Sequence, residues 1–236
     1  KFGNNEKKLI FLHELMDDCT NYENCLIYFD KNLFTIFMVD LKEYGLSKNI
    51  LGKYNLDEAI NDVINLVTNL KLTNYVLIAH SMSSMIAQHI ASKDKRVKKL
   101  ILLTPISYKG VKSTKKAKDN LLAQMEKNSG KIEDIVEQSS KRYNQTWRDY
   151  RINLAYNSSL LEARISYMNM YLNIDYESNF EKLEIDVPIK IITGKYDFPV
   201  FSKNEVAKYF EEFNDVEIIE FEEAGHYPMI ECPLLF

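Results

Sequence analysis

The chain has 236 residues, 46% of them hydrophobic, with 30 basic and 34 acidic side chains and a net charge of -4. That length and apolar content suffice to bury one substantial core, which excludes a disordered chain. The mild, dispersed charge leaves no broad field for nucleic acid or an anionic membrane, and no apolar run approaches the roughly 20 residues that span a bilayer.

Lys8 to Leu12 (KLIFL) and Phe34 to Val39 (FTIFMV) are short β-branched and aromatic runs that predict buried strands, ending at His13 and Asp40. Asp57 to Leu70 repeats apolar residues at helical spacing, with Asp57 as the expected cap. Tyr75 to Ala79 predicts a strand, Ser81 to Ala91 a helix and Val97 to Leu103 a strand, an alternation that implies a parallel sheet with right-handed crossovers. From about Ser107 to Asn173 the rhythm gives way to several helices; the lysine-rich stretch Lys109 to Lys118 reads as solvated surface. Ile189 to Thr193 then predicts a strand, Lys203 to Phe213 a helix and Val216 to Phe221 a strand. The expected organisation is an α/β core of residues 1–106 and 174–236, with 107–173 inserted as a helical cap over the sheet's carboxyl edge, where ligands of open α/β sheets bind.

Cys19, Cys25 and Cys232 are odd in number and lack the CxxC spacing of zinc or redox sites, so reduced thiols and a cytoplasmic location are expected. The start at Lys1 lacks the charged-then-apolar layout of a signal peptide. No set of His, Cys, Asp and Glu has metal-ligand spacing, and no Gly-rich phosphate loop is present, so neither metal nor cofactor is expected.

The junction LIAHSMSSMIA, Leu77 to Ala87, raises the functional question. An apolar strand stops at His80-Ser81 and a helix pattern restarts at once. Ser81 is either the cap of that helix or a nucleophile at the tip of a strand-to-helix turn, with Ala79 and Ser83 as the small residues the turn requires. By itself the junction leaves both readings open. A serine hydroxyl is a weak nucleophile without a base, and the base needs an orienting acid. GKYD places Asp197 just beyond one strand and AGHYPMIECP places His226 just beyond another, in the chain order Ser, Asp, His.

On His13, DLKEYGLS at Asp40 to Ser47, AHSMSS at Ala79 to Ser84, GKYD at Gly194 to Asp197 and AGHYPMIECP at Ala224 to Pro233, the chain resembles the α/β-hydrolase superfamily, in its capped serine esterase, lactonase and peptidase branch. The resemblance implies an α/β-hydrolase fold, a mostly parallel central sheet flanked by helices, with the helical cap inserted after the sixth strand. It implies Ser81 as nucleophile, His226 as general base and Asp197 as its orienting acid. It also implies an oxyanion hole from the backbone N–H of Met82 and, by position, of Leu15. Related proteins carry His-Gly after the first of these strands, whereas this chain has His13-Glu14. A residue that resists positive φ and a carboxylate near developing negative charge together predict low or unusual activity. In the Asp40 to Ser47 loop, Glu43 stands where relatives have the first glycine, Tyr44 follows it, and Gly45 and Ser47 are kept. Related proteins also begin with an extra hairpin and end in a further helix, so further residues are expected at both ends.

His13, Glu14, Trp147, Tyr167 and Tyr171 are candidate substrate contacts, within a wider set of cap residues, Tyr150, Tyr156, Met168 and Met170, that serve equally as the cap's own core. His13 is expected to brace its loop, His80 to be buried against neighbouring strands and His89 to be a surface or packing residue of its helix. The expected activity is hydrolysis of a small-molecule ester, thioester or lactone through an acyl-enzyme, with no nucleic-acid partner and oligomeric state unread. Two alternatives remain: an aminopeptidase, which needs an acid such as Glu162 or Asp175 to hold an ammonium group, and a hydrolase-fold receptor with slow or vestigial catalysis, which Glu14 favours.

Overall fold

The computed structural model of the chain describes residues 1–126, 130–139, 142–174 and 182–236. Six strands, β1 (Lys7–Leu12), β2 (Phe34–Val39), β3 (Tyr75–His80), β4 (Val97–Leu103), β5 (Ile189–Gly194) and β6 (Val216–Phe221), form one sheet in the order β2-β1-β3-β4-β5-β6 with every neighbouring pair parallel. Successive side chains on a strand point to opposite faces. Ile10 and Leu12 therefore belong to the core face shared with α1 (Leu56–Asn69), α2 (Met82–Lys93) and, toward β6, α7 (Lys203–Phe210), while Leu9 and Phe11 belong to the other face with Tyr22, Cys25 and Tyr227. Each fully buried Leu or Ile contributes about 1.5–3 kcal/mol relative to exposure, so this two-sided core sets the strand register.

The predicted strands lie where the sequence places them, to within one residue at an end. Helix α1 begins differently: Asn55, not Asp57, is its cap, because the Asn55 side chain accepts the Glu58 N–H at 2.9 Å. Asp57 lies inside the first turn, where its charge complements the helix dipole. Helix α7 stops at Phe210, and Phe213 remains buried through a following turn closed by its N–H on the Phe210 carbonyl.

Between β4 and β5 lie α3 (Lys115–Glu126), α4 (Lys131–Ser139), α5 (Gln145–Asn157) and α6 (Leu161–Asn173). This helical block follows the fourth of the six described strands, not the sixth as expected. The loop after β2 ties it to the core. Glu43 takes a left-handed φ of 59°, a region that favours glycine, and Gly45 combines a φ of 44° with a site where an added Cβ would lie 2.4 Å from Asp40 Oδ2. The Gly45 N–H donates to the Ser158 carbonyl at 2.7 Å, and the Leu160 N–H to the Glu43 carbonyl at 3.3 Å.

Candidate active site

Ser81 occupies the turn between β3 and α2 with φ 46° and ψ -113°, and its side chain makes no capping hydrogen bond. It therefore does not cap α2. A non-Gly residue held there costs on the order of 1–3 kcal/mol and persists only if its surroundings over-determine it. They do: the Ser81 N–H donates to the Leu103 carbonyl at 2.9 Å, the Ser84 hydroxyl to the Ser81 carbonyl at 2.5 Å, and the Ile106 N–H to Ser84 Oγ at 3.0 Å. The Ser83 hydroxyl donates to the His13 carbonyl, pinning the start of α2 to the loop after β1.

His226 follows β6 and Asp197 follows β5, and His226 Nδ1 lies 3.0 and 2.9 Å from the two Asp197 carboxylate oxygens. A proton on Nδ1 satisfies the carboxylate and leaves Nε2 with a free lone pair. Gly194 permits the approach of the two loops, since a Cβ there would sit 2.0 Å from the Gly225 carbonyl oxygen. The Glu231 carboxylate accepts the Gly225 and Tyr227 N–H groups at 2.7 and 2.9 Å, and His80 Nε2 lies 2.7 Å from the His226 carbonyl. Burial alone would lower the His226 pKa, but the charge and hydrogen bonds of Asp197, with Glu14 and Glu231 further off, hold it above the ordinary imidazole value. The His80 pKa falls well below that value, through burial and the neighbouring His226.

The loop after β1 is held by side chains. His13 Nδ1 lies 2.6 Å from the Glu14 carbonyl, while His13 Nε2 accepts the Leu41 N–H at 3.1 Å, so the ring is the neutral Nδ1–H tautomer, in keeping with a pKa lowered by burial. The Glu14 N–H donates to Asp17 Oδ1 at 3.1 Å and the Tyr44 hydroxyl to the Leu15 carbonyl at 2.9 Å. Glu14 is not among the residues with positive φ, so the loop closes without the glycine's freedom. Among the described residues, neither the Leu15 N–H nor the Met82 N–H has an acceptor.

These elements enclose a cavity of about 280 Å³ whose wall includes Ser81, Met82, His226, Leu15, Glu14 and Tyr171. The Ser81 hydroxyl makes no hydrogen bond with another described group, although it and His226 share this wall. Of the other expected contacts, His13 is fully buried behind the wall, Tyr167 packs between the Tyr44 and Tyr54 rings, and Trp147 stacks on Tyr143 beside a separate surface hollow. Met168 reaches the cavity; Tyr150, Tyr156 and Met170 do not. His89 is buried, with Nε2 2.9 Å from the Tyr108 carbonyl. Glu162 is exposed away from the cavity, and Asp175 lies outside the described residues.

Several wall residues escaped the sequence reading. Lys131, Ile135 and Gln138 present one face of α4, a spacing visible in the sequence, whereas Phe198 and Phe201 follow Asp197 in a loop without periodicity. Arg151 was also missed. It is 1% exposed, on α5, with Nη1 donating to Asn21 Oδ1 at 2.8 Å and Nη2 3.7 Å from Glu14 Oε1 and 4.0 Å from Asp17 Oδ2. Among the described residues no group of three or more His, Cys, Asp or Glu could hold a metal ion, and no helix is long and apolar enough to cross a membrane.

A family model described as serine aminopeptidase, S33, matches residues 3–233. No curated protein matches. Among solved structures, an esterase from Exiguobacterium antarcticum is 21% identical with a TM-score of 0.84, over 97% of this chain and 88% of its own. A thermophilic esterase from Thermogutta terrifontis is 18% identical with a TM-score of 0.82, over 98% and 86%. An enol-lactonase from Burkholderia xenovorans is 14% identical with a TM-score of 0.76, over 98% and 89%. At these identities the likeness is one of fold.

Proposed function

The chain belongs to the serine aminopeptidase S33 family of the α/β hydrolases, and from that premise we propose that it is a serine hydrolase of small carboxylic esters, thioesters or lactones. The observation that carries this reading is the uncapped, strained Ser81 on the wall of a cavity that also holds the imidazole of an Asp197–His226 pair. His226 Nε2 takes the Ser81 proton as the oxygen attacks the substrate carbonyl, and Asp197 steadies the imidazolium that results. The oxyanion is met by the acceptor-free N–H groups of Met82 and Leu15, the first aided by the amino end of α2. Collapse expels the alcohol, thiol or ring oxygen with the proton from His226, and a water activated by the same base releases the acid. A hydrogen bond between Ser81 and His226 forms when substrate is bound, as such contacts often tighten only in the complex.

The wall is mostly apolar, with Met16, Ile106, Val111, Leu121, Ile135 and Met168 around the reacting groups, which suits a short acyl chain. An aminopeptidase needs a spare carboxylate for the substrate ammonium. Glu162 is off the cavity, and Glu14, which is on it, already faces Arg151, so the ester reading is preferred. Arg151 likewise removes the charge argument for a vestigial receptor. The three cysteines are free thiols, which fits action in a reducing cytoplasm.

The test is a panel of p-nitrophenyl esters from acetate to hexanoate, simple lactones and aminoacyl anilides, run on wild type and Ser81→Ala. Ester or lactone turnover that vanishes in Ser81→Ala supports the proposal. Turnover unchanged by the substitution, or anilides cleaved in preference to every ester, overturns it.

A further inference from the structure

Glu14 is a carboxylate, 3% exposed, on the wall of the cavity, one residue before the Leu15 N–H. Negative charge develops at that N–H during acyl transfer, so an uncompensated anion there would oppose the reaction. Its oxygen Oε1 lies 3.5 Å from the Tyr227 hydroxyl and 3.7 Å from Arg151 Nη2. The guanidinium comes from the cap helix α5, stacks 3.7 Å from the centroid of the Tyr227 ring, and is held by Asn21. Tyr227 in turn is the neighbour of His226. One cation from the cap thus touches the loop after β1 and the loop after β6 together.

We propose that Arg151 is a positioning residue for the oxyanion side of the site: it neutralises Glu14 and draws that carboxylate away from the Leu15 N–H, so that full activity requires the cap helix to be seated. This proposal rests on the serine-hydrolase reading above. The other charged or titratable groups around the pair include Asp17, Asp18, His13, Tyr22 and Tyr44 from the β1 and β2 loops, His80 from β3, Tyr150 from α5, Arg164 and Tyr171 from α6, and His226 and Tyr227 from the β6 loop. Of these, Asp17 is the one second anion within 4.0 Å of the guanidinium, and burial followed by Glu14 pushes its pKa well above the ordinary carboxylate value. The guanidinium lies nearer Glu14, at 3.7 Å, than Asp17, at 4.0 Å, so Glu14 is the carboxylate it faces first. A lysine at 151 would keep the charge but not the planar stack on Tyr227 or the fork that reaches Asn21 and Glu14 together.

The oxyanion exists only in the transition state and the intermediate, so loss of neutralisation should appear in kcat with KM nearly constant. The experiment compares wild type, Glu14→Gln, Arg151→Met, Arg151→Lys and the double variant Glu14→Gln with Arg151→Met, on the best p-nitrophenyl ester, with thermal midpoints measured alongside. Arg151→Met is expected to lower kcat roughly 10- to 100-fold, Arg151→Lys less than Arg151→Met, and the double variant should recover to within about threefold of Glu14→Gln. A double variant no faster than Arg151→Met, with a thermal midpoint near that of Glu14→Gln, overturns the proposal. If Arg151→Met does not fold, the double variant and Arg151→Lys decide: both active supports it, and Arg151→Lys as inactive as a misfolded chain while keeping the wild-type midpoint overturns it. Because every rate is referred to turnover that Ser81→Ala abolishes, failure here is separable from failure of the serine-hydrolase reading.

Discussion

The two loops that frame the cavity are held in place by different means. The turn after β3 places Ser81 by backbone geometry, a φ of 46° that the flanking strand and α2 leave no room to relax. The loop after β1 keeps ordinary φ at Glu14 and is placed by side chains, with Asp17, His13 and Tyr44 each holding a backbone group of residues 14 or 15. A backbone solution demands small neighbours and leaves a short sequence signature. A side-chain solution can be built from residues far apart in the chain and leaves none.

The largest expected effects fall on the turn and its partners. Ser81→Ala should lower kcat by roughly 10⁴-fold or more, read from ester turnover at matched protein concentration. Asp197→Asn should lower it by on the order of 10³- to 10⁴-fold, because the amide carries no charge to steady the imidazolium and its NH2 can donate to Nδ1, which favours the wrong tautomer. The pH profile sharpens the point. His226 must be neutral to act as base and its pKa is held above the ordinary imidazole value of 6.5, so kcat/KM should fall as pH drops through a point higher than 6.5. Removing the Asp197 charge should move that limb to lower pH.

On the side-chain-built loop the expected effects are smaller. Tyr44→Phe deletes the donor to the Leu15 carbonyl, and a loosened Leu15 N–H should cost about 10-fold in kcat with little change in KM, a split that steady-state kinetics will resolve. The smallest effect is one of stability. Glu43→Gly removes a left-handed non-Gly residue and a buried carboxylate oxygen, Glu43 Oε2, that lacks a hydrogen-bond partner. It should stabilise by about 1 kcal/mol, raising the thermal midpoint by about 2–4 °C without altering ester turnover.

The same contrast explains what could be read in advance. The strands were legible because a parallel sheet covered on both faces needs continuous apolar runs, such as Leu9 to Leu12 and Tyr75 to Ala79. Asp197 and His226 were legible because they follow strand ends in a fixed order, and the sheet brings strand ends together. Arg151 was not, because a charged residue in a polar helix that also carries Arg148, Asp149 and Asn153 reads as surface, and only the packing of α5 on the β1 loop buries it. Tyr167 and Trp147 were expected near substrate on composition alone; helix rotation turns the first into the core and the second to another face. Asn55 took the cap of α1 from Asp57 because a helix start turns on which side chain can reach the third N–H, a matter of two residues that periodicity does not resolve.

The most direct test of the whole account is to quench the enzyme in acid within the first turnovers of a p-nitrophenyl ester and map the acylated peptide by mass spectrometry. An acyl group on Ser81, absent from Ser81→Ala, is the predicted result. Sustained turnover with no acyl adduct, or with the adduct on another side chain, would contradict it.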